Sequence, residues 1–506
     1  MRFSPDIIAL APFIAAVLVA TAILIVDFVA PGRRAPILIT AFLGLAVVAL
    51  LVATVPAATG AIDRPDLRSR AFDGAYSVDP LTTFLDLLFV SIVALTIAFA
   101  PDYLEERDLP VAEFASVLVF AMSGAMLIAA STDLLVLFLG LELMVLPGYL
   151  LAGYHKSDGY STEGAIKYFL LGSFSSAIFL FGLAFVWGLT GTTRVEGVAD
   201  VIGGIAAGRP FPPGLALGLA FLMTGVGFKV AAVPFHYWTP DAYQGSPTPV
   251  TGYLSVGPKV GAFALVIRLF AEALAPLTDQ WVAVVVVLAA VTMTLGNLVA
   301  LTQDNVKRML AYSSIAHTGY MLVGLAAWAA SGGANPRGME GLLYYGAAYT
   351  FMNLGAFAVV AALQRRLGVT SNLSTFGGLI RIEPALTILM FLFLLSLTGI
   401  PPLAGFLGKA YVILAAVETG NQALIALAVV AMLNAAAAAF YYLRVAVYMF
   451  MREPAGDAPA LSHGRLVWVG LGAATVLTIG LGLFPGIVLS IVQQAAQVVG
   501  QAHGVG

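Results

Sequence analysis

The chain has 506 residues, of which 60% are apolar and only 10% are Asp, Glu, Lys or Arg, and its mean hydropathy is +0.97. Soluble domains average roughly 45–50% apolar and about 25% charged residues, so this surface cannot be built from polar side chains and the chain is an integral membrane protein. A net charge of −3 gives no basic footprint for nucleic acid, and the absence of Cys excludes thiolate-ligated iron–sulfur clusters, disulfides and a Cys nucleophile.

A spanning helix takes about 20 apolar residues. Apolar runs and the polar punctuation between them predict spans at Ile7–Phe28, Pro36–Thr54, Leu81–Ala100, Val111–Ala130 and Thr132–Tyr154. Further spans fall at Ala165–Trp187, Gly214–Pro234, Val250–Ala271, Trp281–Thr302 and Ser313–Ala329. Gly341–Gln364, Leu386–Val417, Ala423–Phe450 and Arg465–Val492 bring the total to fourteen. The first run is long enough to span and no small-residue cleavage pattern follows it, so it reads as a span and not as a signal peptide.

An even number of spans places both termini on one side. Arg33, Arg34, Arg107, Lys156, Lys307, Arg308, Arg365, Arg366, Arg381 and Arg452 fall in one set of loops. On the other side Arg64, Arg68, Arg70, Arg194 and Arg209 lie in two longer segments, where the positive-inside rule is weak. Both termini are therefore expected on the non-cytoplasmic side.

Two runs are interrupted. Gly399-Ile400-Pro401-Pro402 stands in the middle of Leu386–Val417, and adjacent prolines remove helical hydrogen bonds and clash with the preceding turn. The seventh run ends at Pro234 and continues through Phe235–Pro249, with Pro240, Gly245, Pro247 and Pro249. Such backbone survives in a membrane only where protein or a water-filled cavity satisfies it, and paired interruptions suggest an internal repeat. Glu142 precedes Lys229 by 87 positions and His317 precedes Lys409 by 92, and the step between the two sets is five spans. An odd step inverts the second unit, although Lys229 precedes its proline while Lys409 follows its pair.

The expected architecture is an all-α polytopic membrane protein of about fourteen transmembrane helices, with interrupted helices 7 and 12. It divides into a three-helix segment (1–110), two inverted five-helix repeats (111–271 and 281–450) and a C-terminal helix (465–506).

Charges within apolar spans are few: Glu142, Lys229, Lys259 and Lys409, with Lys167 less deep. Each costs roughly 3 kcal/mol against lipid, so they face the bundle interior. At a rise of ~1.5 Å per residue, Lys229 lies ~9 Å, Lys259 ~15 Å and Glu142 ~18 Å from the same end of the bundle, within one band. Buried carboxylates and amines have proton affinities close enough for transfer in either direction, so these residue types point to proton movement. His317 shares a polar stripe with Ser313, Ser314 and Tyr320 at helical spacing.

Structural readings stand beside these. Glu142 and Lys229 could form a static ion pair that sets helix register, Lys167 could reach the interface, and His317 could be a hydrogen-bonded packing residue. Lys259 and Lys409 have no evident acidic partner. Asp86, Glu113 and Arg268 lie nearer span ends and read as structural, and Gly225-Val226-Gly227 reads as a helix-packing site.

The run Phe228-Lys229-Val230-Ala231-Ala232-Val233-Pro234-Phe235-His236-Tyr237-Trp238-Thr239-Pro240-Asp241 resembles the seventh-span signature of the antiporter-like subunits of proton-pumping NADH:quinone oxidoreductase, respiratory complex I. Ser246-Pro247-Thr248-Pro249-Val250 and Ser255-Val256-Gly257-Pro258-Lys259 look like the subunit N branch of that family. Further matches are Leu141-Glu142-Leu143-Met144, Lys167-Tyr168-Phe169-Leu170-Leu171-Gly172, Lys307-Arg308-Met309-Leu310-Ala311-Tyr312-Ser313-Ser314-Ile315, and the twelfth-span run Gly399 to Lys409. The resemblance covers about Asp73 to Tyr442.

The resemblance implies a Glu–Lys pair at Glu142 and Lys229, a central lysine at Lys259, a terminal lysine at Lys409, and auxiliary relay positions at Lys167 and His317. Subunit M is expected to carry Glu where this chain has Lys409, and Gln244 departs from the Glu of some relatives. The resemblance also implies no redox active site and no cofactor on this chain. FMN, iron–sulfur clusters and NADH are expected on partner subunits, with quinone as substrate of the whole complex. Expected neighbours are the lipid bilayer of a bacterial inner membrane, subunit M and small subunits K and J. The rival readings are a subunit of a sodium/proton antiporter or membrane-bound hydrogenase, and a structural subunit that only docks its neighbours.

Overall fold

In hydrocarbon every backbone group must be satisfied within the chain, and long apolar runs do this by forming helices. The computed structural model describes residues 4–64, 68–206, 212–365, 370–454 and 462–501; Arg209 and Arg366, which entered the loop comparison, lie outside them. The chain opens with α1 (Pro5–Ala9), α2 (Ala11–Val29) and α3 (Arg34–Ala58). A short antiparallel hairpin follows, β1 (Ser69–Ala71) and β2 (Tyr76–Val78), with Ser69 opposite Val78. Next come α4 (Pro80–Phe99), α5 (Pro101–Glu105), α6 (Val111–Ala130), α7 (Leu134–Ala152), α8 (Gly159–Thr190) and α9 (Val195–Ala206).

The seventh run is α10 (Pro213–Lys229) and α11 (Trp238–Gly245), and α12 (Thr248–Val266) continues into a π-helical stretch, Ile267–Ala273. Then follow α13 (Thr278–Leu301), α14 (Val306–Ala330), α15 (Pro336–Leu363), α16 (Pro384–Thr398) and α17 (Ala404–Glu418). The chain ends with α18 (Gln422–Met451), α19 (Arg465–Leu483) and α20 (Gly486–Gln501). Starts are marked by side-chain caps at Asp79, Asp133, Asp158, Asn305, Asn335 and Asn421, each accepting a backbone N–H of the first turn.

Among the described residues eleven helices are long and apolar enough to cross a bilayer, or twelve if the bent pair Leu373–Arg381 and Pro384–Thr398 counts as one. The expected total of fourteen is not reached by this measure. The helix α10 has 17 residues and α16 and α17 have 15 each, while α14 has 25 but carries the polar stripe around His317. The last expected span, Arg465–Val492, is two helices: Pro485 disfavours helical backbone at Phe484, which sits at φ −128° and ψ 60°. The separate α20 turns back to pack against α4 and α15. The first expected span is likewise divided, at Leu10.

Burial sorts the helices. Every residue of α12 is buried and nearly all of α15, while α2, α3, α8 and α18 expose large apolar side chains such as Leu18, Leu43, Phe174 and Leu433. An apolar exterior around polar central helices is the arrangement a lipid solvent requires.

Candidate functional site

The first interrupted segment is held by neighbours that take over its lost backbone bonds. Past Lys229, Ala231 adopts φ +60° and the Val233–Pro234 peptide is cis. Trp238 Nε1 donates to Phe228 O at 3.1 Å, Thr318 Oγ1 donates to Val230 O at 2.7 Å, and Val233 N–H donates to Thr292 Oγ1 at 3.0 Å. Gly225 lets α10 approach α8 closely, because a Cβ there would stand 2.5 Å from Phe179 Cβ. That approach brings Ser176 of α8 to Lys229, whose Nζ donates to Ser176 Oγ at 2.9 Å. Glu142 lies within electrostatic reach of Lys229, but its Oε1 is buried without a hydrogen-bond partner and the two form no ion pair.

In the second interrupted segment α16 ends at Thr398, and Gly399 turns the chain at φ +93°. Lys409 of α17 reaches back and donates to Leu397 O at 2.9 Å and Thr398 O at 2.7 Å. The last carbonyls of a helix have no partner within it and carry the negative end of its dipole, so they hold an ammonium well. Lys229 likewise stands in the last turn of α10. The two lysines occupy different sides of their prolines in sequence, yet each stands at the C-terminal end of a first half-helix.

The two segments are joined through α12, α14 and α15. Lys259, buried, donates to Ser314 Oγ at 2.6 Å and to Ser314 O, and stands 5.4 Å over the Tyr349 ring. One turn along α14, His317 has its ring 4.9 Å from that of Tyr349. His317 Nδ1 is 2.7 Å from Tyr345 Oη and Nε2 is 3.1 Å from Tyr442 Oη, and Tyr442 also bonds Ser313. Tyr320 lies 6.0 Å from His317 centre to centre, and Lys409 Nζ stands 5.0 Å over its ring. Lys259, Ser314, Tyr349, His317, Tyr345, Tyr442, Tyr320 and Lys409 thus lie in one buried row, hydrogen-bonded from Lys259 to Ser314 and from His317 to Tyr345 and Tyr442 and otherwise in ring contact. A neutral imidazole between two hydroxyls donates through one nitrogen and accepts through the other, which is the arrangement a proton relay uses.

Lys167 lies apart from this row. It is part-exposed and pairs with Glu163 at 2.6 Å and Asp241 at 2.8 Å, and Asp241 also binds Arg308 at 2.7 Å. Gln244, the departure noted in sequence, accepts from Arg308 at 3.1 Å. At the same end a polar cavity of about 450 Å³ is lined by Arg107, His155, Asp158, Gln244 and Lys307, with Lys307 donating to Ser246 O at 2.5 Å. Among the described residues no group of three or more His, Asp or Glu is placed to hold a metal ion.

Sequence reasoning missed Ser176, Tyr345, Tyr349 and Tyr442. Their signal is faint: Tyr345 and Tyr349 are one turn apart in an apolar run, a pattern shared with ordinary packing residues.

The family described as NADH:quinone oxidoreductase/Mrp antiporter, TM, matches residues 131–434. NADH-quinone oxidoreductase subunit N 1 of Koribacter versatilis is 42% identical over 492 residues, covering 96% of this chain and 94% of that one. A chain of respiratory complex I from Thermus thermophilus with bound Aureothin superposes with a TM-score of 0.74 at 30% identity, covering 95% of this chain and 98% of that one. A chain of the Mrp complex from Dietzia sp. DQ12-45-1b, at 21% identity, covers 98% and 99% of the two chains with a TM-score of 0.80, a likeness of fold. This multi-pass membrane chain, with its antiporter-like helical fold, belongs to the subunit N family of NADH-quinone oxidoreductases.

Proposed function

We propose that the chain translocates protons as a membrane-arm subunit of an NADH:quinone oxidoreductase, driven by quinone reduction elsewhere in the complex. The observation that carries this reading is the buried row from Lys259 through His317 to Lys409. A purely packed core has no need of two buried lysines set on either side of a hydrogen-bonded imidazole. Glu142 and Lys229 act together as the first exchange position, Lys259 as the central one and Lys409 as the terminal one, with His317 between the last two. Lys167 acts at the margin, through its pairs with Glu163 and Asp241. Residues 111–271 and 281–450 act as two inverted units, one around each interrupted segment.

In this reading the chain has no redox site of its own and takes no tightly bound cofactor. FMN, iron–sulfur clusters and NADH belong to partner subunits, and its neighbours are subunit M and small subunits K and J in a bacterial inner membrane, with both termini on the non-cytoplasmic side. Lys229→Ala is expected to lower the proton-to-electron ratio in proteoliposomes and to leave NADH oxidation by the peripheral arm intact; an unchanged ratio would sink the role. The fold likeness to an Mrp complex keeps one other reading, an antiporter subunit, in view. Flavin and NADH oxidation co-purifying with the chain favour the first, and their absence favours the second.

A further inference from the structure

At the hairpin end of the bundle lies a second buried charge cluster, distant from the row above. Arg268, fully buried on the π-helical stretch after α12, donates to Asp79 Oδ2 at 2.8 Å, Glu272 Oε1 at 2.8 Å, Thr82 Oγ1 at 3.0 Å and Ala129 O at 2.9 Å. Arg68, entering the hairpin, reaches the same two carboxylates at 3.3 Å and 2.8 Å. Two guanidiniums against two carboxylates leave this cluster electrically neutral.

Asp86 is a third carboxyl beside it. It follows Asp79 by seven positions, which puts it on the same face of α4 about 10 Å deeper, and it is only 2% exposed. Its Oδ1 has no hydrogen-bond partner. The charged groups within electrostatic reach of it are Asp79 and Arg268, with the Tyr76 hydroxyl also facing it. Of the helices packed against α4, α12 carries Lys259, which donates to Ser314, and α20 carries no charge, while α3, α6 and α19 have Arg34, Glu113 and Arg465 only at the far end. At the hairpin end α15 holds Arg337, paired with Glu418, and Glu340. No cation among the described residues is paired with Asp86, since Arg268 and Arg68 are shared between Asp79 and Glu272 and Lys259 is given to Ser314. Burial strongly disfavours an unpaired carboxylate and disfavours a carboxylic acid far less.

A narrow apolar cavity lined by Leu85, Leu88, Val260, Phe263, Ile267 and Met321 runs beside the stretch of α12 between Lys259 and Arg268. Those two residues are nine positions apart, about 13 Å along the helix. The π-helical turn, a feature often found where function requires a local change of register, starts at the cluster end of that stretch.

We propose that Asp86 is a proton-binding position: a neutral carboxylic acid whose proton exchanges with solvent and is passed on at the hairpin end during transport. The last clause rests on the function proposed above; the occupancy does not. In the purified membrane complex, the infrared spectrum of wild type minus Asp86→Asn should contain a carboxylic-acid carbonyl band that shifts on transfer to D2O. The absence of that band, or a band indifferent to D2O, overturns the proposal. Asp86→Glu, which keeps the acid, should move the band without abolishing it, and supplies the same reading if the Asn variant does not assemble. In proteoliposomes Asp86→Asn should lower the proton-to-electron ratio with NADH oxidation retained. A normal ratio there, with Lys229→Ala impaired, overturns the transport part alone; a normal ratio in both overturns the function on which it rests.

Discussion

Lys229 gives its hydrogen bond to the hydroxyl of Ser176, 2.9 Å away, and not to the carboxylate of Glu142. A cation held by a neutral acceptor keeps its counter-charge at a distance and can exchange partners without first breaking a salt bridge. Ser176→Ala removes that acceptor, and a hydrogen bond to a charged group contributes about 1.5–3 kcal/mol. The expected outcome is a lowered proton-to-electron ratio in proteoliposomes with NADH oxidation unchanged. A ratio equal to wild type would show the hydroxyl to be idle.

Gly399 is a position where side-chain clearance and backbone conformation both matter. Its φ of +93° lies in the left-handed region, and a Cβ there would stand 3.1 Å from Lys409 Cδ. Gly399→Ala is expected to destabilise the fold by roughly 1–2 kcal/mol from the backbone alone and to displace Lys409 from the α16 carbonyls. Gly346→Ala, in the interior of α15 with nothing within 4 Å of a new Cβ, should be neutral or stabilising by up to about 1 kcal/mol. Thermal midpoints of the two variants side by side test the contrast.

Tyr442→Phe leaves both His317 Nε2 and Ser313 Oγ without their partner. Tyr345→Phe does the same to Nδ1. Each is expected to cost about 1–3 kcal/mol as an unsatisfied buried group, and the double variant should depart from additivity because both hydroxyls serve one imidazole. Additive shifts in the thermal midpoint across the single and double variants would show that the two hydroxyls act independently.

Acid should loosen the end of the bundle away from the hairpin. Burial pushes the Asp102 carboxyl up, but hydrogen bonds from Arg34 and the Gly464 N–H, with the charges of Arg34 and Arg365, outweigh it and hold the group below the ordinary carboxylate range. A carboxyl so lowered adds stability above its unfolded value of about 4, and that stability is lost as pH falls through the lower folded value. Asp102→Asn should therefore lower the thermal midpoint at neutral pH and flatten its decline below about pH 4. Equal slopes for the two proteins would show that this contact does not govern acid stability.

What the sequence made legible follows from how few residues could hold each position. Lys229, Lys259 and Lys409 are conspicuous because an ammonium in an apolar run has a large energetic consequence wherever the helix packs. Tyr349 and Tyr442 are not, since a tyrosine in an apolar run is ordinary and only the packing of α14 against α15 and α18 turns it toward His317. The Arg68, Asp79, Arg268 and Glu272 cluster was illegible for a related reason: Asp79 and Arg268 are 189 positions apart and meet only in three dimensions. The interruptions at Pro234 and Gly399 could be read directly, because the adjacent Pro401 and Pro402 and the cluster Pro234, Pro240, Pro247 and Pro249 break a helix where the single Pro147 and Pro258 do not. Pro485 carried the same signal within Arg465–Val492, where the apolar run on either side outweighed it.

The complete enclosure of α12 also bears on how the chain enters the membrane during synthesis. With Lys259 near its middle and every face covered by protein in the folded chain, α12 alone would hold an unrelieved lysine in hydrocarbon. The acceptor that relieves the lysine, Ser314, lies 55 residues further along the chain. At about 5–20 residues per second, roughly 3–11 s of synthesis separate the two. During that interval the neighbours already made are α4, α6 and α7, so Lys259 is without its acceptor until α14 arrives.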